Sequence, residues 1–446
     1  MGADDLLERL NADDVDNLTV VYHDYSGRAC AKTIPREGFE GVVRHGVVFA
    51  RANLSFMLDD HQSEGAAFLA ETGDFLAVPD PSSYARVPYQ EATARVHAFM
   101  RTDDGRPWDG CPRHRLAAIV DQFTQEGLGV RVGLEPEFYL FEPVGDGEYR
   151  PADQDGMFTL AGLDRHYELW KSVTDDLREM GIDVEQFGKE YGPAQYEGSP
   201  RYGSPIAAVD GYLAFKDVLR NRARAAGYLA SFMPKPYQHL PGCGLHAHLS
   251  LWDLEGKREL SAGERDADPL SEIGGQFVAG LLAHASGLTG LGSPIVNSYK
   301  RLLPGSWAPA HVCWGVGNRS ALVRVPGLGR RRHVEYRSGD NAMNPFLFVT
   351  ALLAAGLEGI RERVTPPPPV DVDVGHLSPE EVAARGLTML PNSLRQALDA
   401  FEADETLTAA LGPVIGPEFL KVKRGELAAY DLAVHPWERD MYLESI

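Results

Sequence analysis

The chain has 446 residues, of which 44% are hydrophobic and 24% are charged, and this composition is typical of a folded globular protein. A chain of this length exceeds one compact core, so we expect two domains. The formal net charge of −21 argues against nucleic acid and against anionic membranes as partners.

The chain carries no pattern typical of export or of membrane insertion. Its first residues, MGADDLLERLNADD, are acidic and lack the apolar core of a signal peptide. The longest apolar run, from Phe346 to Leu357, is too short to span a bilayer. The four cysteines form no CxxC pair, which favours reduced thiols. We therefore expect a cytoplasmic protein.

In the N-terminal part, the segments LTVVYHDY and RACAKTIP flank Ser26-Gly27 and predict a β-hairpin over residues 18–35. Short strand and loop signals continue to Met100. The polar, Gly- and Pro-containing stretch RTDDGRPWDGCP then indicates a boundary. We expect an N-terminal domain over residues 1–106 and a larger domain over 107–446.

The larger domain alternates predicted strands and helices. GVRVGLEPEFYLF and GLHAHLSLW are strand-like. The predicted helices are Arg113–Glu126, Leu163–Met180, Ala207–Ala226, Phe277–Leu288 and Pro345–Arg363.

Two glutamates lie two positions apart in the strand-like segment GLEPEFYLFEP. Residues two apart on a strand share a face, so Glu135 and Glu137 lie together, opposite an apolar face that includes Val132, Leu134 and Phe138. Adjacent carboxylates repel one another unless a cation lies between them. The pattern fits a metal site or a solvated acidic face, and by pattern alone the solvated face is favoured.

Two histidines follow a Gly-rich turn in GCGLHAHLSLW, where polar and apolar residues alternate. His246 and His248 share the polar face, which suits contact with a metal or a phosphate, and a structural pair of histidines fits equally well. In GKEYGPAQYEG, Glu190 and Glu197 are a weaker signal that is by itself typical of a surface loop.

Arginines are frequent in NRSALVRVP and GRRRHVEYRSGD, and their guanidinium groups match carboxylate and phosphate oxygens. Glu335 and Arg337 share a strand face. For residues 330–332 a solvated basic stretch is the better interpretation.

Convergence of the acids would have a large electrostatic cost. Each pair of carboxylates near ~4 Å costs about 4 kcal/mol at an effective dielectric constant of about 20, so such a cluster needs bound cations. Its oxygen-rich donors favour Mg²⁺ or Mn²⁺ over Zn²⁺. The sequence contains no GxxxxGK[ST], GxSxG or HExxH motif, and no GxGxxG after a strand, which argues against P-loop, hydrolase, zincin and Rossmann functions.

Together, these segments resemble glutamine synthetases of the bacterial class-I type, and most closely the γ-glutamyl-amine ligases among them. The matching segments follow the family's order over nearly the whole chain: GLEPEFYLFEP, KEYGPAQYEG, FMPKP, GCGLHAHLSLW, NSYKRLLPGSWAP, NRSALVRVP and VEYRSGDNAMNPF. The resemblance implies an α+β fold, with a small N-terminal β-grasp-like domain. A catalytic α/β domain follows, in which helices flank a curved antiparallel sheet.

The resemblance also implies stacked hexameric rings with active sites shared between subunits. The tail HPWERDMYLESI resembles the segment that clasps the opposite ring, so we expect a homo-oligomer, a dodecamer.

The family's site residues carry over by position, and they imply ATP as co-substrate and two Mg²⁺ or Mn²⁺ ions. One ion is expected at Glu137, Glu190 and Glu197, and the other at Glu135, His246 and Glu335. The glutamate-contacting positions are Gly242, Arg301 and Arg337, and Arg319 stands where the family contacts the transferring phosphate. The nucleotide-contacting positions are Glu185, His248, Ser250 and Arg324.

Several positions depart from the ammonium-using members. Trp307, in the flap loop PGSWAP, replaces a glutamate that closes the ammonium site, and Ala50 replaces an aspartate of the N-terminal domain. Pro241 replaces an asparagine, and His333 replaces an arginine of the nucleotide site. Gly375 stands where some members carry a tyrosine that is adenylylated, so we do not expect regulation by adenylylation.

These residues predict an ATP-dependent ligase that forms a γ-glutamyl amide from L-glutamate and an organic amine through γ-glutamyl phosphate. Arg319, Arg337 and Trp307 are the expected catalytic residues, and Trp307 and Ala50 the expected amine-binding positions. The ring of Trp307 favours an arylamine, followed by a short alkylamine or ethanolamine.

Three alternatives remain. The first is an ammonium-using glutamine synthetase in which Asp59, Asp60 or Glu64 replaces the lost acids. The second is a γ-glutamylpolyamine synthetase, and the third is an inactive structural or regulatory relative.

Overall fold

Two large β-sheets with helices packed on them organise the computed structural model, which describes residues 2–263, 268–327 and 332–446. Arg330 and Arg331, which belong to the predicted basic stretch, lie outside the described residues. No helix of the described part is long and apolar enough to cross a membrane.

The first sheet is formed by the N-terminal residues. Its strands are β1 (Asn17–His23), β2 (Ala29–Pro35), β3 (Val47–Ala50), β4 (Asp74–Pro79), β5 (Ala85–Arg86) and β6 (Thr93–Arg101), with helices α1 (Ala3–Ala12) and α2 (Phe39–His45). The strand order is β2-β1-β6-β4-β3, with β5 beside β6 and with β1 and β6 parallel. The predicted hairpin over residues 18–35 is confirmed, and so is the N-terminal β domain.

The second sheet has nine strands within the described residues and is mostly antiparallel. They are β7 (Gly129–Gly145), β8 (Glu148–Pro151), β9 (Val184–Lys189), β10 (Gln195–Pro200), β11 (Leu229–Ser231), β12 (Leu245–Trp252), β14 (Trp314–Val316), β15 (Val323–Val325) and β16 (Val334–Tyr336). The order is β14-β15-β16-β12-β7-β10-β9, with β8 and β11 also on β7. A small separate pair joins β13 (His311–Val312) to β17 (Thr388–Met389).

The remaining helices surround this sheet. They are α3 (Pro112–Gln125), α4 (Leu160–Arg165), α5 (Tyr167–Glu179), α6 (Pro205–Ala225), α7 (Glu272–Ala283), α8 (Ala285–Gly292), α9 (Pro345–Arg361), α10 (Pro379–Ala384), α11 (Leu394–Glu402), α12 (Glu405–Leu432) and α13 (Pro436–Tyr442). Two predicted helices are each divided, one at His166 and the other at His284. The predicted α+β class is confirmed by these elements.

Buried apolar side chains of the first sheet and of part of the second join one continuous cluster, whereas Phe138 and Leu140 of β7 belong to a second cluster. The predicted boundary segment takes part in it, because Trp108 is buried and stacks on Phe75 of the first sheet at 5.6 Å between ring centroids. The division of the chain at residue 106 stays a prediction.

Buried charges on α12 tie the N-terminal residues to the C-terminal helices. The carboxylate of Glu418 accepts hydrogen bonds from the backbone of Ala67 at 3.1 Å and from the hydroxyl of Ser55. The ammonium of Lys423 donates to the hydroxyl of Ser26 at 2.8 Å. Because both charged groups are buried, removal of either partner would leave an unsatisfied group and would loosen this contact.

His284, between α7 and α8, lies between two carboxylates. Its Nδ1 is 2.7 Å from Asp404 Oδ2 at the start of α12, and its Nε2 contacts Glu358 on α9. Burial lowers the pKa of His284, but the hydrogen bonds and charges of Asp404 and Glu358 outweigh it, so the pKa is raised above the ordinary 6.5. The imidazole therefore links the α7–α8 junction to α9 and to the start of α12 through its two carboxylate partners.

We predict that His284→Gln lowers the thermal unfolding midpoint, by the equivalent of about 1 to 2 kcal/mol because Glu358 is partly exposed. A raised pKa means that the stabilisation is complete below the ordinary pKa and is lost as the pH rises through the raised one. The difference between wild type and variant should therefore be larger near about pH 6 than near about pH 8.5. Equal differences at the two pH values would contradict a charged His284.

Candidate active site

The register of the second sheet aligns the predicted acids and histidines in one row across neighbouring strands. The paired positions are Glu197 with Glu137, His246 with Glu135, His248 with Glu335, and Arg324 with Glu335. Gly188 lies opposite Glu197 in the same row, and a Cβ there would come within 2.8 Å of the Glu197 carboxylate. A side chain at that position would crowd the Glu197 carboxylate, and the glycine leaves this space open.

The histidines on β12 contact the acids of β7 and β16. His246 Nδ1 lies 3.4 Å from Glu135 Oε2 and 3.6 Å from Glu335 Oε1, and its Nε2 lies 4.0 Å from Glu137 Oε1. His248 Nε2 lies 3.2 Å from Glu135 Oε2. One ligand atom each from Glu135, His248 and Glu335 lie within 4.8 Å of one another. These donors fit a divalent cation. The group contains His248, which was predicted to contact the nucleotide, where the predicted metal site has His246.

The acids on the other side of the row are costly to ionise. Burial, followed by the charge of Glu137, raises the pKa of Glu190 to about 7. Burial and the charges of Glu135 and Glu190 raise the pKa of Glu197 to about 9. A bound cation stabilises the ionised form of such carboxylates more than that of carboxylates with ordinary pKa values. This supports the predicted ion at Glu137, Glu190 and Glu197.

Glu335 has the opposite surroundings. Burial alone would raise its pKa, but the charges of Arg337, the two histidines and Arg324 outweigh burial and lower the pKa to about 2. Arg337 donates to one carboxylate oxygen, and Arg324 Nη1 donates to the other at 2.8 Å. Two residues predicted to bind substrates thus also hold a predicted metal ligand in its ionised form.

Arg301 is buried against the Gly-rich turn. Its guanidinium donates to the backbone oxygens of Ser338 and Arg337 at 3.1 Å each. A Cβ at Gly244 would lie 2.3 Å from Arg301 Nη2, and one at Gly242 would lie 2.7 Å from Arg301 Cγ. The glycines therefore allow the backbone to approach the arginine closely. This places Gly242 beside Arg301, as expected for two glutamate-contacting positions.

Trp307 of the flap loop and Arg319, further along the chain, line one cavity of about 460 Å³. Trp307 is 63% exposed, and its ring centroid lies 6.4 Å from that of Tyr191, the residue after Glu190. The residues 371–376 form the opposite wall. Gly375 belongs to this wall, where a Cβ would come within 2.8 Å of Gly305 N, so the close approach of the two loops excludes a larger residue.

Three predicted residues lie at the edges of this arrangement or outside it. Glu185 is exposed on β9, 3.8 Å from the Nε of Arg201. Ser250, two residues beyond His248, accepts a hydrogen bond from the indole of Trp252 at 2.9 Å. Ala50 ends β3 in the first sheet, where it pairs with Asp74.

His333 and Pro241, which stand where the family has an arginine and an asparagine, each form a hydrogen bond near the site. His333 Nε2 lies 2.8 Å from Nδ1 of His248, so the imidazole stands beside a predicted nucleotide contact. The backbone oxygen of Pro241 accepts from the hydroxyl of Tyr139 at 2.9 Å.

Four polar residues that the motifs did not single out hold the acids in place. Gln195 Nε2 donates to Gly242 O at 2.9 Å, beside Glu137, and Asn341 Nδ2 donates to Glu137 O at 3.0 Å. Ser199 and Gln186 lie 3.3 and 3.4 Å from Glu135 Oε1. Gln195 and Ser199 share the face of Glu197, so strand alternation on β10 is the signal that identifies them. Asn341 lies outside the strands, and alternation does not reach it.

We predict that divalent-metal binding releases protons at neutral pH, because the pKa values of Glu190 and Glu197 are about 7 and about 9 and the ion displaces their protons. Titration calorimetry with Mn²⁺, in buffers of different ionisation enthalpy, measures this release. Glu197→Gln should weaken binding roughly tenfold or more and reduce the release.

Glu142→Gln, on the same strand as Glu137 but paired with Arg150, is the matched control and should bind like wild type. Mn²⁺ affinity that does not change between about pH 6 and about pH 8 would contradict the raised pKa values.

Comparison with known proteins agrees with this geometry. Residues 109–442 match the family model described as glutamine synthetase, catalytic domain. The glutamine synthetase of Thermococcus kodakarensis is 36% identical over 414 residues, which cover 93% of this chain and 89% of that protein. That of Methanosarcina mazei is 34% identical and covers 99% of this chain and 98% of that protein.

Solved structures give the same result. A GmaS/ADP complex superposes with a TM-score of 0.87 at 31% identity and covers 98% of this chain and 99% of the other. A structure described as a novel glutamine synthase homolog gives a TM-score of 0.82, also at 31% identity, and covers 94% of this chain and 96% of the other. The chain belongs to the glutamine synthetase family, whose members are ATP-dependent carbon–nitrogen ligases that use Mg²⁺ or Mn²⁺.

Proposed function

We propose that this ligase joins L-glutamate to an organic amine and forms a γ-glutamyl amide. The observation that carries the proposal is Trp307: an exposed indole, not a carboxylate, stands on the flap loop, and it contacts the residue that follows Glu190. A site for ammonium needs acids to stabilise the cation and to take its proton.

The reaction has two steps. A side-chain oxygen of glutamate attacks the terminal phosphorus of ATP, the bond to ADP breaks, and γ-glutamyl phosphate forms. The amine nitrogen then attacks the carbonyl carbon, phosphate leaves, and the nitrogen loses a proton. Bound divalent ions neutralise phosphate charge in this chemistry, and the cluster around Glu135 and Glu137 would hold them.

The positive side chains divide the other tasks. Arg301 and Arg337, beside Gly242, would bind the glutamate carboxylates through paired N–H donors. Arg319 would stabilise charge on the transferring phosphate. The nucleotide would be contacted by four residues of the second sheet. They are Glu185 on β9, His248 and Ser250 on β12, and Arg324 on β15.

Two of the three acids that could restore an ammonium site form ion pairs elsewhere. Asp60 Oδ1 lies 2.5 Å from Arg28 Nη1, and Asp59 Oδ2 lies 3.3 Å from His61 Nδ1. An arylamine suits the site best because it is neutral at pH 7 and needs no base to expose its lone pair. A short alkylamine or ethanolamine comes next, and a polyamine third.

A second candidate is an ordinary glutamine synthetase that uses ammonium. It is favoured by the relatives named glutamine synthetase, which are 34–36% identical over most of the chain. The likeness to GmaS, a γ-glutamylmethylamide synthetase, at 30–31% identity supports a small organic amine instead.

A screen of amines separates these candidates. Purified protein, glutamate, ATP and Mg²⁺ are combined with ammonium, methylamine, ethanolamine, aniline or putrescine, and phosphate release and amide formation are measured. We predict a higher kcat/KM for an organic amine than for ammonium. An ammonium value above all the others would overturn the proposal, and no turnover with any amine would favour the inactive relative.

The combined variant Trp307→Glu with Ala50→Asp restores the two acids. Two carboxylates near the amine would attract a cation, so activity with ammonium should rise while activity with the organic amine falls. Val144→Glu, at the exposed end of β7, introduces a carboxylate at an apolar position away from the flap and serves as the control for activity.

We also propose that the chain assembles into a dodecamer of two hexameric rings. The tail around α13 supports this, because Leu432, Trp437, Leu443 and Ile446 are 84%, 61%, 73% and 100% exposed. Such an apolar surface is costly in water unless a partner covers it.

Deletion of residues 436–446 should release single rings while each subunit keeps its fold, as measured by light scattering and circular dichroism. An active monomer of the full chain would contradict the proposal.

A further inference from the structure

A second aromatic side chain, Tyr191, forms a pair with Trp307 beside the cluster of acids. The two ring planes are inclined by 30°, and the side chains are 65% and 63% exposed. Tyr191 follows Glu190 directly, and its backbone N–H donates to Glu190 Oε2 at 3.2 Å. The pair therefore lies next to a predicted metal ligand.

The turn that carries Tyr191 is held on all sides. Glu190 N donates to Gln195 O at 2.8 Å, and Gly192 N donates to Gln195 Oε1 at 2.9 Å. The buried ammonium of Lys189 donates to Gly192 O at 2.5 Å. A Cβ at Gly192 would lie 2.3 Å from the hydroxyl of Tyr139, so this turn packs tightly on β7. The backbone of Tyr191 is fixed at the edge of the site.

The flap loop is held at its base as well. The hydroxyl of Ser306 donates to the backbone oxygen of Arg301 at 2.9 Å, next to the predicted glutamate site. Trp307 itself has a φ of +61°, which is costly for a residue with a bulky side chain. Unfavourable backbone of this kind is found mostly where function requires it.

We propose that Tyr191 determines the choice of amine: its ring and that of Trp307 form one wall that contacts the amine's substituent. This inference rests on the proposed function. The wall suits primary amines with an aryl or short alkyl group, since aromatic faces and edges favour apolar and aromatic contacts. Ammonium has no substituent and gains nothing from such a wall.

The space beside the wall agrees with a small substituent. Trp307 also lines the cavity of about 460 Å³, together with the apolar side chains of Ala308, Val316 and Val374. Because Trp307 belongs both to the ring pair and to the cavity lining, a substituent that contacts the pair also reaches the edge of this cavity.

The test compares kcat/KM for aniline, n-butylamine, methylamine and ammonium in the full-length enzyme and its variants. We expect Tyr191→Ala to lower the values for aniline and n-butylamine by about three- to tenfold, mainly through KM, and to change those for methylamine and ammonium far less. Tyr191→Phe should keep the wild-type order, because the ring and not the hydroxyl forms the wall. If Tyr191→Ala does not fold, Tyr191→Leu, which keeps bulk without the ring, should lower the aniline value alone.

Tyr149→Ala is the matched control. Tyr149 is a partly exposed tyrosine opposite Pro143, about 20 Å along β7 from Glu137, and its loss should change none of the values. If Tyr191→Ala lowers all four values equally, Tyr191 holds Glu190 or the flap in place and the inference is overturned. Unchanged values for organic amines overturn the inference alone, whereas a wild type that uses only ammonium overturns the proposed function too.

Discussion

Repulsion among five glutamates, four on neighbouring strands and Glu190 directly after β9, is the constraint on which the rest of the site depends. The protein balances it in two ways. Glu335 is paired with Arg324 and Arg337, which keep it ionised within the protein itself. Glu190 and Glu197 have no such arginines among their described contacts, and their raised pKa values mean that a bound cation would favour their ionised forms. The charge of Glu335 is thus balanced within the chain, whereas the charges of Glu190 and Glu197 would be balanced by a bound cation.

The sheet supplies the force that brings these charges together. Val132, Leu134 and Phe138 on β7 are buried, and their burial fixes which face of the strand points away from the apolar core. A slip of one residue on β7 would move Glu135 and Glu137 towards the core and Val132, Leu134 and Phe138 out of it. The hydrophobic free energy that specifies the register therefore also offsets the repulsion within the row.

Strand alternation alone predicts that Glu135 shares a face with Glu137, and that His246 shares one with His248. It does not predict that β12 and β10 flank β7, because pairing between strands far apart in sequence is a tertiary property. The family resemblance supplied that convergence. The breaks at His166 and His284 were missed for a similar reason: His284 is held by Asp404 and Glu358, which are 120 and 74 residues away. The family resemblance placed Ala50 at the amine position. Within one chain, Ala50 lies in the first sheet, whereas the cluster of acids lies on the second.

The loss of two acids at the amine position is consistent with this electrostatic balance. A row that already raises the pKa of Glu197 to about 9 disfavours further negative charge nearby. An enzyme that uses ammonium needs the additional carboxylates in spite of this repulsion, because they bind the ammonium cation. A substrate that reaches the site as a neutral amine removes the need, and binding can then come from dispersion and apolar contact. In the proposed function, Trp307 and Tyr191 would provide that contact, at a position where an added carboxylate would increase the repulsion.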